Sequence, residues 1–380
     1  MGFLATTRLE ARNIEPLNFE AGSSKQSAGY LGESSRAEEG GSKMSVIFAT
    51  TLCILLFLCS SPKAAVAATK IIVGHAAVNS RVVPLWIAQE QGFFAKNGLE
   101  AEVVFIRTGP ILISALTAGR INIGYAAGEA LVLAAAANGV DAKLIAAFTS
   151  RFNHDVVARP GITRPQDLRG KRFGVQSIGG GMWMRAMLAL EHLGLEPERD
   201  RIQILVLGDQ TILLQALDTG TIDVATLDKA FTSILKQKGF SILLDLYHTN
   251  IPMIGMSALA QKSSIDKRPE IVENFLKAML EGLAFSLSPE NKATVIKTIM
   301  KRLKITDPSA AELAYLDIVN IMDRKPFPSL DGLRNVHRLY SSRDPRIANV
   351  KPEDVIDNRI LNKLDKVGFL DEIYRNYRVK

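Results

Sequence analysis

Residues 116–125 read LTAGRINIGY, and residues 217–226, which lie 101 positions later, read LDTGTIDVAT. Each copy has the pattern of a helix that ends at a glycine and is followed by a short apolar strand. Gly119 and Gly220 stand where a helix end needs a left-handed residue, a conformation that glycine adopts without steric cost. Two copies of one unit predict two similar α/β lobes, and the cleft between them is the expected place for function.

The rest of the chain extends this pattern. Strands and helices alternate over two long stretches, which predicts mostly parallel sheets covered by helices. One helix is predicted over Pro84–Lys96, and polar linkers over Arg151–Arg164 and Tyr247–Pro252. From Pro269 onward the pattern is almost wholly helical, and we interpret this part as structural cladding for one lobe.

Length and charge limit the possible functions. The chain has 380 residues, a natural length for two domains, and a net charge of +7. The basic residues are spread out, with no run of five like charges, so nucleic-acid binding is excluded as an interpretation. A mild positive field favours anionic ligands. Residues 1–43 are polar and lack apolar periodicity, which predicts a disordered leader.

A secretory signal peptide is predicted over residues 44–67. An apolar run that is short for a membrane span leads to Ala65-Val66-Ala67, an A-x-A cleavage pattern. An uncleaved membrane anchor and a lipid anchor on Cys59 are the alternatives, and Met44 is an alternative start. Both cysteines, Cys53 and Cys59, lie in this segment, so the mature chain would have none.

The chain lacks the motifs of catalytic and metal sites. Without cysteine, the mature chain cannot form a thiolate zinc site or use a cysteine nucleophile. The five histidines form no H-x-x-x-H pair, and no G-x-S-x-G elbow is present. The sequence therefore predicts no metal, no cofactor and no catalytic residue.

Four segments carry a resemblance to a known family. They read PLWIAQEQGFFAKNGLE (84–100), ALTAGRINIG (115–124), DLRGKRFGV (167–175) and ALDTGTID (216–223). In this order, behind a signal peptide, they resemble the periplasmic solute-binding proteins of ABC importers for nitrate, sulfonate, taurine and thiamine-pyrimidine precursors. The resemblance spans about residues 70–290.

The resemblance implies a two-lobe periplasmic-binding-protein fold of type II. Each lobe would be a mostly parallel sheet flanked by helices, with a helical C-terminal extension. Lobe one would take residues 70–153 plus 252–380, and lobe two residues 154–251. The implied protein is a periplasmic monomer without enzymatic activity. It would close over a small anionic or zwitterionic ligand (a sulfonate, taurine, nitrate or a pyrimidine-like molecule) and deliver it to an ABC permease in the inner membrane.

The loops between strand ends and helix starts are the expected ligand site, because helix N-termini favour anions. The glycines of Ser177–Gly181 would let the backbone approach a ligand, and a plain turn is the alternative. Trp183 would stack on a ligand ring, and core packing is its alternative. Glu129 and Asp228 suggest a zwitterionic or heterocyclic ligand. The predicted ligand-binding residues are Asn79, Ser80, Arg81, Thr108, Tyr125, Ala127, Gly128, Ser177, Gly179, Gly180, Trp183, Asp209 and Asp228.

Two other functions remain open at this point. One is an enzyme like those that synthesise the thiamine pyrimidine, although the cysteine-rich iron motif of the fungal enzymes is missing from this chain. The other is a sensory ligand-binding protein, which a fused membrane or kinase segment would favour.

Overall fold

The computed structural model describes residues 68–379, and its strands form two five-stranded sheets. The predicted leader (1–43) and signal peptide (44–67) lie outside these residues. The strands are β1 (Thr69–His75), β2 (Leu99–Phe105), β3 (Ile123–Tyr125), β4 (Ala142–Thr149), β5 (His154–Ala158), β6 (Arg172–Val175), β7 (Gln203–Val206), β8 (Val224–Asp228), β9 (Ser241–Asp245) and β10 (Gly255–Gln261).

Helices connect and cover the strands. They are α1 (Val83–Glu90), α2 (Phe93–Lys96), α3 (Gly109–Thr117), α4 (Glu129–Ala137), α5 (Gly181–His192), α6 (Gln210–Thr219), α7 (Lys229–Gln237), α8 (Lys262–Lys267), α9 (Pro269–Leu287), α10 (Lys292–Leu303), α11 (Pro308–Ile321), α12 (Leu330–Ser341), α13 (Arg359–Lys366) and α14 (Phe369–Asn376).

The two sheets have the same design. The first has the strand order β2-β1-β3-β10-β4 and the second the order β7-β6-β8-β5-β9. In each sheet the fourth strand of this order, β10 or β5, runs antiparallel to both of its neighbours. The predicted class, α/β with mostly parallel sheets, is confirmed. The division into lobes at residues 154 and 251 stays a prediction, because residues 68–379 belong to one compact unit.

The repeated motif has one structural role in both sheets. The Asn122 side chain accepts a hydrogen bond of 2.7 Å from the N–H of Ile72 in β1. In the second copy, the Asp223 carboxylate accepts one of 2.9 Å from the N–H of Arg172 in β6. Gly220 ends α6 at φ 79°, as the sequence predicts. Each polar residue therefore fastens the start of its strand to the neighbouring parallel strand.

Two predicted segments differ from the structure, and one strand has no counterpart in the prediction. The helix predicted over Pro84–Lys96 is two helices, because Gly92 at φ 72° interrupts it. The linker predicted over Arg151–Arg164 contains the buried strand β5, so this prediction is wrong. Its first residues, His154 and Asp155, are polar but buried, which hides the strand from an apolar pattern. The strand β10 lacks a β-branched run and was not predicted.

The C-terminal helices cover more than one sheet. The helix α9 packs against α1, which follows β1 of the first sheet, and the two helices belong to one buried apolar cluster. The helix α12 instead reaches α5, which follows β6 of the second sheet. Its Tyr340 stacks edge-to-face on Trp183, with ring centroids 5.3 Å apart, and its Arg338 pairs with Glu191. The interpretation of this region as cladding for one lobe is therefore wrong for α12.

We expect Gly282→Ala to lower the free energy of unfolding by about 1–3 kcal/mol. A Cβ at Gly282 in α9 would overlap the carbonyl oxygen of Pro84 and lie 2.9 Å from the Cβ of Ala88 in α1. Chemical denaturation would measure the loss. Asn274→Ala, at a half-buried position of the same helix, is the control. Equal stability of the two variants would contradict close packing of α9 on α1.

Candidate ligand-binding site

A cavity of about 220 Å³ lies where loops from both sheets meet. It is bounded by residues that follow β1, β3 and β6 and by the segment between β4 and β5. Within residues 68–379, no phenylalanine, tyrosine or tryptophan lines it. Pockets for drug-sized ligands measure about 300–1,000 Å³, so this cavity suits a smaller, polar molecule. Its polar lining residues are Asn79, Arg81, Glu129, Thr149, Arg151, Asn153, His154, Gln176, Arg185 and Gln210.

Two helices begin at this cavity without a side-chain cap. Gly128 precedes α4 and Gly180 precedes α5, and neither glycine has a side chain that could cap its helix. The helix α6 differs, because the Asp209 carboxylate accepts bonds from the N–H groups of Thr211 and Ile212. Free N–H groups at helix N-termini favour an anion. Because α4 follows β3 and α5 follows β6, each sheet contributes one such terminus.

Arg185 adds a positive charge at the N-terminus of α5, where the helix dipole disfavours a cation. The Nη1 of Arg185 lies 2.7 Å from the position that a Cβ on Gly181 would take. The guanidinium therefore folds back over the first turn of α5. Its buried Nε has no hydrogen-bond partner in the described part of the chain. Burial lowers the pKa of Arg185, and the charge of Arg81 lowers it further. An anion in the cavity would offset both effects.

Arg81 forms two buried ion pairs in the same region. It lies in a short 3-10 turn, Ser80–Val82, and is 7% exposed. Its Nη1 is 3.2 Å from Oδ1 of Asp228, the last residue of β8, and 3.3 Å from Oδ2 of Asp317 in α11. Arg81, Asp228 and Asp317 are called the Arg81 network below. The network joins a loop of the first sheet to a strand of the second.

The carboxylates of the Arg81 network are further hydrogen-bonded. Gln210 Nε2 donates to Asp228 at 2.5 Å, and Ser80 and Asn153 donate to Asp317. Burial alone would raise the pKa of Asp228, but the charges of Arg81 and His154 and the hydrogen bonds from Gln210 and Arg81 together hold that pKa below its usual value. Burial dominates at Asp317, whose pKa is raised. Arg81 already has two carboxylate partners, whereas Arg185 has no carboxylate at ion-pair distance within residues 68–379.

His154, the first residue of β5, is 2% exposed and lines the cavity. Its Nε2 lies 3.1 Å from Oδ1 of Asp228. Its Nδ1 has no hydrogen-bond partner among residues 68–379. Burial lowers the pKa of His154 well below 6.5; the charges of Arg185 and Arg81 act in the same direction, and Asp228 opposes them. Burial thus favours the neutral imidazole.

Glu129 begins α4 and is 8% exposed. Its Oε1 accepts a hydrogen bond of 2.8 Å from Ser257 Oγ in β10. Burial raises the pKa of Glu129, although the bond from Ser257 opposes this effect. The Glu129 carboxyl group is thus a buried polar group that lines the cavity, and it is not a solvated surface charge.

The structure places four predicted site residues, Asn79, Arg81, Ala127 and Gly128, in the cavity lining. Three others adjoin Arg81 or its network. Asp228 is an ion-pair partner, Ser80 donates to Asp317, and the buried Tyr125 hydroxyl donates to the carbonyl oxygen of Arg81 at 3.2 Å. The roles that the sequence predicts for these residues in ligand binding stay predictions.

The other predicted residues do not line the cavity. Asp209 caps α6, and Thr108 precedes α3. Trp183 is 4% exposed and packs against Tyr340, with the Arg343 guanidinium 4.9 Å from its ring centroid. Trp183 does not line the cavity, and the stacking role predicted for it stays a prediction. In the glycine loop Ser177–Gly181, Gly181 lines the cavity, whereas Ser177, Gly179 and Gly180 do not.

Sequence reasoning missed Arg185 and Thr149, and it did not single out Gln210 and His154 as site residues. One signal for Arg185 is present in the sequence. A cation in the first turns of a helix that begins with Gly-Gly is disfavoured by the helix dipole, so such a residue indicates a role other than helix stability. Thr149 and His154 gave no such signal, because they lie at a strand end and a strand start whose pairing is visible only in the fold.

Within residues 68–379, no helix has the length and apolar character that a membrane span requires. No group of three or more histidine, aspartate or glutamate side chains is placed to hold a metal ion in the same residues.

Comparison with known sequences gives a family match. The model of the family described as NMT1/THI5 like matches residues 79–293, more than half of the chain. A Brucella abortus (strain 2308) protein whose name describes it as a binding protein is 26% identical over 220 residues, which cover 57% of this chain. The alignment spans 66% of that relative, just under two thirds of its length. The taurine-binding periplasmic protein of Escherichia coli (strain K12) is 27% identical, over 52% of this chain and 62% of its own.

Comparison with solved structures gives the fold. The periplasmic aliphatic sulphonate binding protein SsuA from Escherichia coli superposes with a TM-score of 0.63 at 17% identity. The match covers 77% of this chain and 99% of that one. At this identity the likeness shows the fold alone. The predicted periplasmic-binding-protein fold is thereby confirmed.

Proposed function

Because this chain belongs to the NMT1/THI5-like family, we propose that it is the extracytoplasmic solute-binding component of an ABC importer. It binds a small organic anion or zwitterion between its two sheets and performs no catalysis. The relatives named above as binding proteins support this role. So does the cavity, which draws lining residues from both sheets, as expected of a site that closes over its ligand.

The observation that carries the proposal is Arg185. Its buried Nε has no partner in residues 68–379, and it lies beside the uncapped start of α5. A guanidinium pairs with a carboxylate, sulfonate or phosphate through two parallel hydrogen bonds. The start of α4, which also lacks a capping side chain, lies at the same cavity and adds N–H donors. A few charge-assisted bonds suffice for the about −8 kcal/mol of micromolar binding.

The ligand is small and not aromatic in this proposal. The cavity measures about 220 Å³ and has no tryptophan, tyrosine or phenylalanine among its described lining residues. This favours short sulfonates, amino sulfonates, carboxylates or an inorganic anion over ring compounds. The Glu129 carboxyl and the His154 ring supply the polar surface that a second group on the ligand would contact.

The partners and location follow from the same role. The protein is exported by the signal peptide predicted over residues 44–67 and acts in the periplasm. It works as a monomer that docks on an ABC permease in the inner membrane. Export is tested by comparing the N-terminus of the protein recovered outside the cytoplasm with Ala68, and an intact N-terminus there would contradict cleavage.

A thermal-shift screen with ligands of equal size and different charge tests the binding function. Short sulfonates, nitrate, amino sulfonates and carboxylates are compared with neutral alcohols and alkylammonium ions of equal size. An anion present at about 100 times its Kd should stabilise the protein by about 2.7 kcal/mol, and the neutral and cationic molecules should not. Stabilisation by the cations alone would overturn the proposal, as would chemical conversion of a bound anion during incubation.

A further inference from the structure

We propose that His154 is a specificity-determining residue, which accepts a hydrogen bond from the ligand. The site would then select a small anion that carries an N–H or O–H donor near its charged group over an anion of equal size without one. This inference rests on the proposed binding function and goes beyond it, because it assigns the second recognition contact.

The contact with Asp228 fixes which ring nitrogen carries the proton. Asp228 is the ion-pair partner of Arg81, and Gln210 also donates to it. A carboxylate held in its ionised form only accepts hydrogen bonds. A lone pair on His154 Nε2, 3.1 Å from Asp228 Oδ1, would be repelled by the ionised carboxylate, so the neutral ring carries its proton on Nε2. In a neutral imidazole the other nitrogen, Nδ1, is then an acceptor.

The buried Nδ1 is the acceptor available to a ligand that reaches the His154 ring. His154 is 2% exposed and lines the cavity, and Nδ1 has no partner in the described part of the chain. A buried polar atom without a partner is costly. Thr149 Oγ1 is in the same situation, but a hydroxyl both donates and accepts and cannot discriminate. Nδ1 can only accept, so it selects a donor.

The donor and the anionic group belong to one small ligand. Arg185 is close enough for its charge to act on His154, and both residues line one cavity of about 220 Å³. A ligand that fills this volume reaches both with a short chain. An anion alone would satisfy Arg185 and leave Nδ1 unpaired, whereas an amino- or hydroxy-substituted anion satisfies both.

Matched ligand pairs test the selection by titration calorimetry. The pairs are 2-aminoethanesulfonate with propane-1-sulfonate, 2-hydroxyethanesulfonate with propane-1-sulfonate, and 3-aminopropanoate with butanoate. In the best-bound pair, the wild-type protein should bind the donor-bearing member about tenfold more tightly or better. A ratio near one in every pair that binds would overturn the inference and leave the proposed function standing. Failure of every anion to bind would overturn both.

Two variants separate recognition from structure. In His154→Gln the side-chain amide can still donate to Asp228 but offers no acceptor at the Nδ1 position, so the ratio should fall to near one. In His154→Asn an acceptor remains near that position and the Asp228 contact is lost, so the ratio should persist. The opposite outcome would assign His154 a purely structural role.

A measurement on the wild-type protein keeps the test independent of the variants. Imidazole ¹⁵N resonances distinguish the two neutral tautomers. We expect His154 to carry its proton on Nε2 in the free protein and the Nδ1 resonance to shift when a donor-bearing ligand binds. A protonated Nδ1 in the free protein would overturn the inference.

Discussion

Replacing Arg185 by methionine is expected to weaken anion binding about 100-fold or more without lowering the stability of the ligand-free protein. A bidentate guanidinium–anion pair contributes two charge-assisted hydrogen bonds of about 1.5–3 kcal/mol each, and methionine supplies neither. The free protein loses little, because Arg185 opposes the dipole of α5 and its buried Nε has no partner in residues 68–379. Calorimetric titration and chemical denaturation measure the two quantities.

Two further variants make this result specific. Arg185→Lys keeps the charge but not the planar pair of donors, so its affinity should lie between wild type and methionine. Arg338→Met removes a surface arginine that pairs with the exposed Glu191, and ligand binding should not change. If Arg185→Met bound the anion as tightly as Arg338→Met does, Arg185 would not be the anion-binding residue.

Replacing Arg81 by methionine is expected to lower the free energy of unfolding by about 3–5 kcal/mol. The substitution leaves two carboxylates, Asp228 and Asp317, without their cation, although their side chains are only 15% and 13% exposed. Unpaired buried charges cost far more than the net gain from a buried ion pair. Denaturant unfolding at neutral pH measures the loss.

The matched control for Arg81→Met is a surface pair of the same chemistry. Arg334 and Glu353 are each about half exposed, so Arg334→Met should cost less than about 1 kcal/mol. The two losses also differ in their pH dependence. Arg81 helps to hold the pKa of Asp228 below its usual 3.8, so its stabilising effect is present above pH 3.8 and is lost on acidification. The deficit of Arg81→Met should therefore shrink below about pH 4. A loss as small as that of Arg334→Met would show that the Arg81 network is dispensable for stability.

Much of the fold was accessible from the sequence because its signals are local. Gly119 and Gly220 mark helix ends that only a left-handed residue can make, and the apolar strands that follow them are visible as short runs. The strand β5 was missed for the converse reason. Its first two residues are polar, and their burial depends on contacts with Asp228 and Thr232, 74 and 77 positions away in the chain.

The site was only partly accessible, because ligand contacts depend on which side chains already have partners. Asn79 and Arg81 were predicted from their place after the first strand, and both line the cavity. The sequence alone does not show whether an arginine side chain already has an ion-pair partner. Arg81 is engaged by two acids from distant segments, whereas Arg185, which a pattern search passes over, lacks such a partner in the described residues.

The strand order of the first sheet also sets the order in which the chain can acquire its structure during synthesis. The strands of the second sheet, β5 to β9, are contiguous, so this sheet has all its strands once residue 245 has left the ribosome. The first sheet does not, because β10, at residues 255–261, stands between β3 and β4. Its β4 therefore waits for a partner that is made more than a hundred residues later. The half that is translated first is thus the half that is completed last, and until then it exposes an unpaired strand edge to the cell's chaperones.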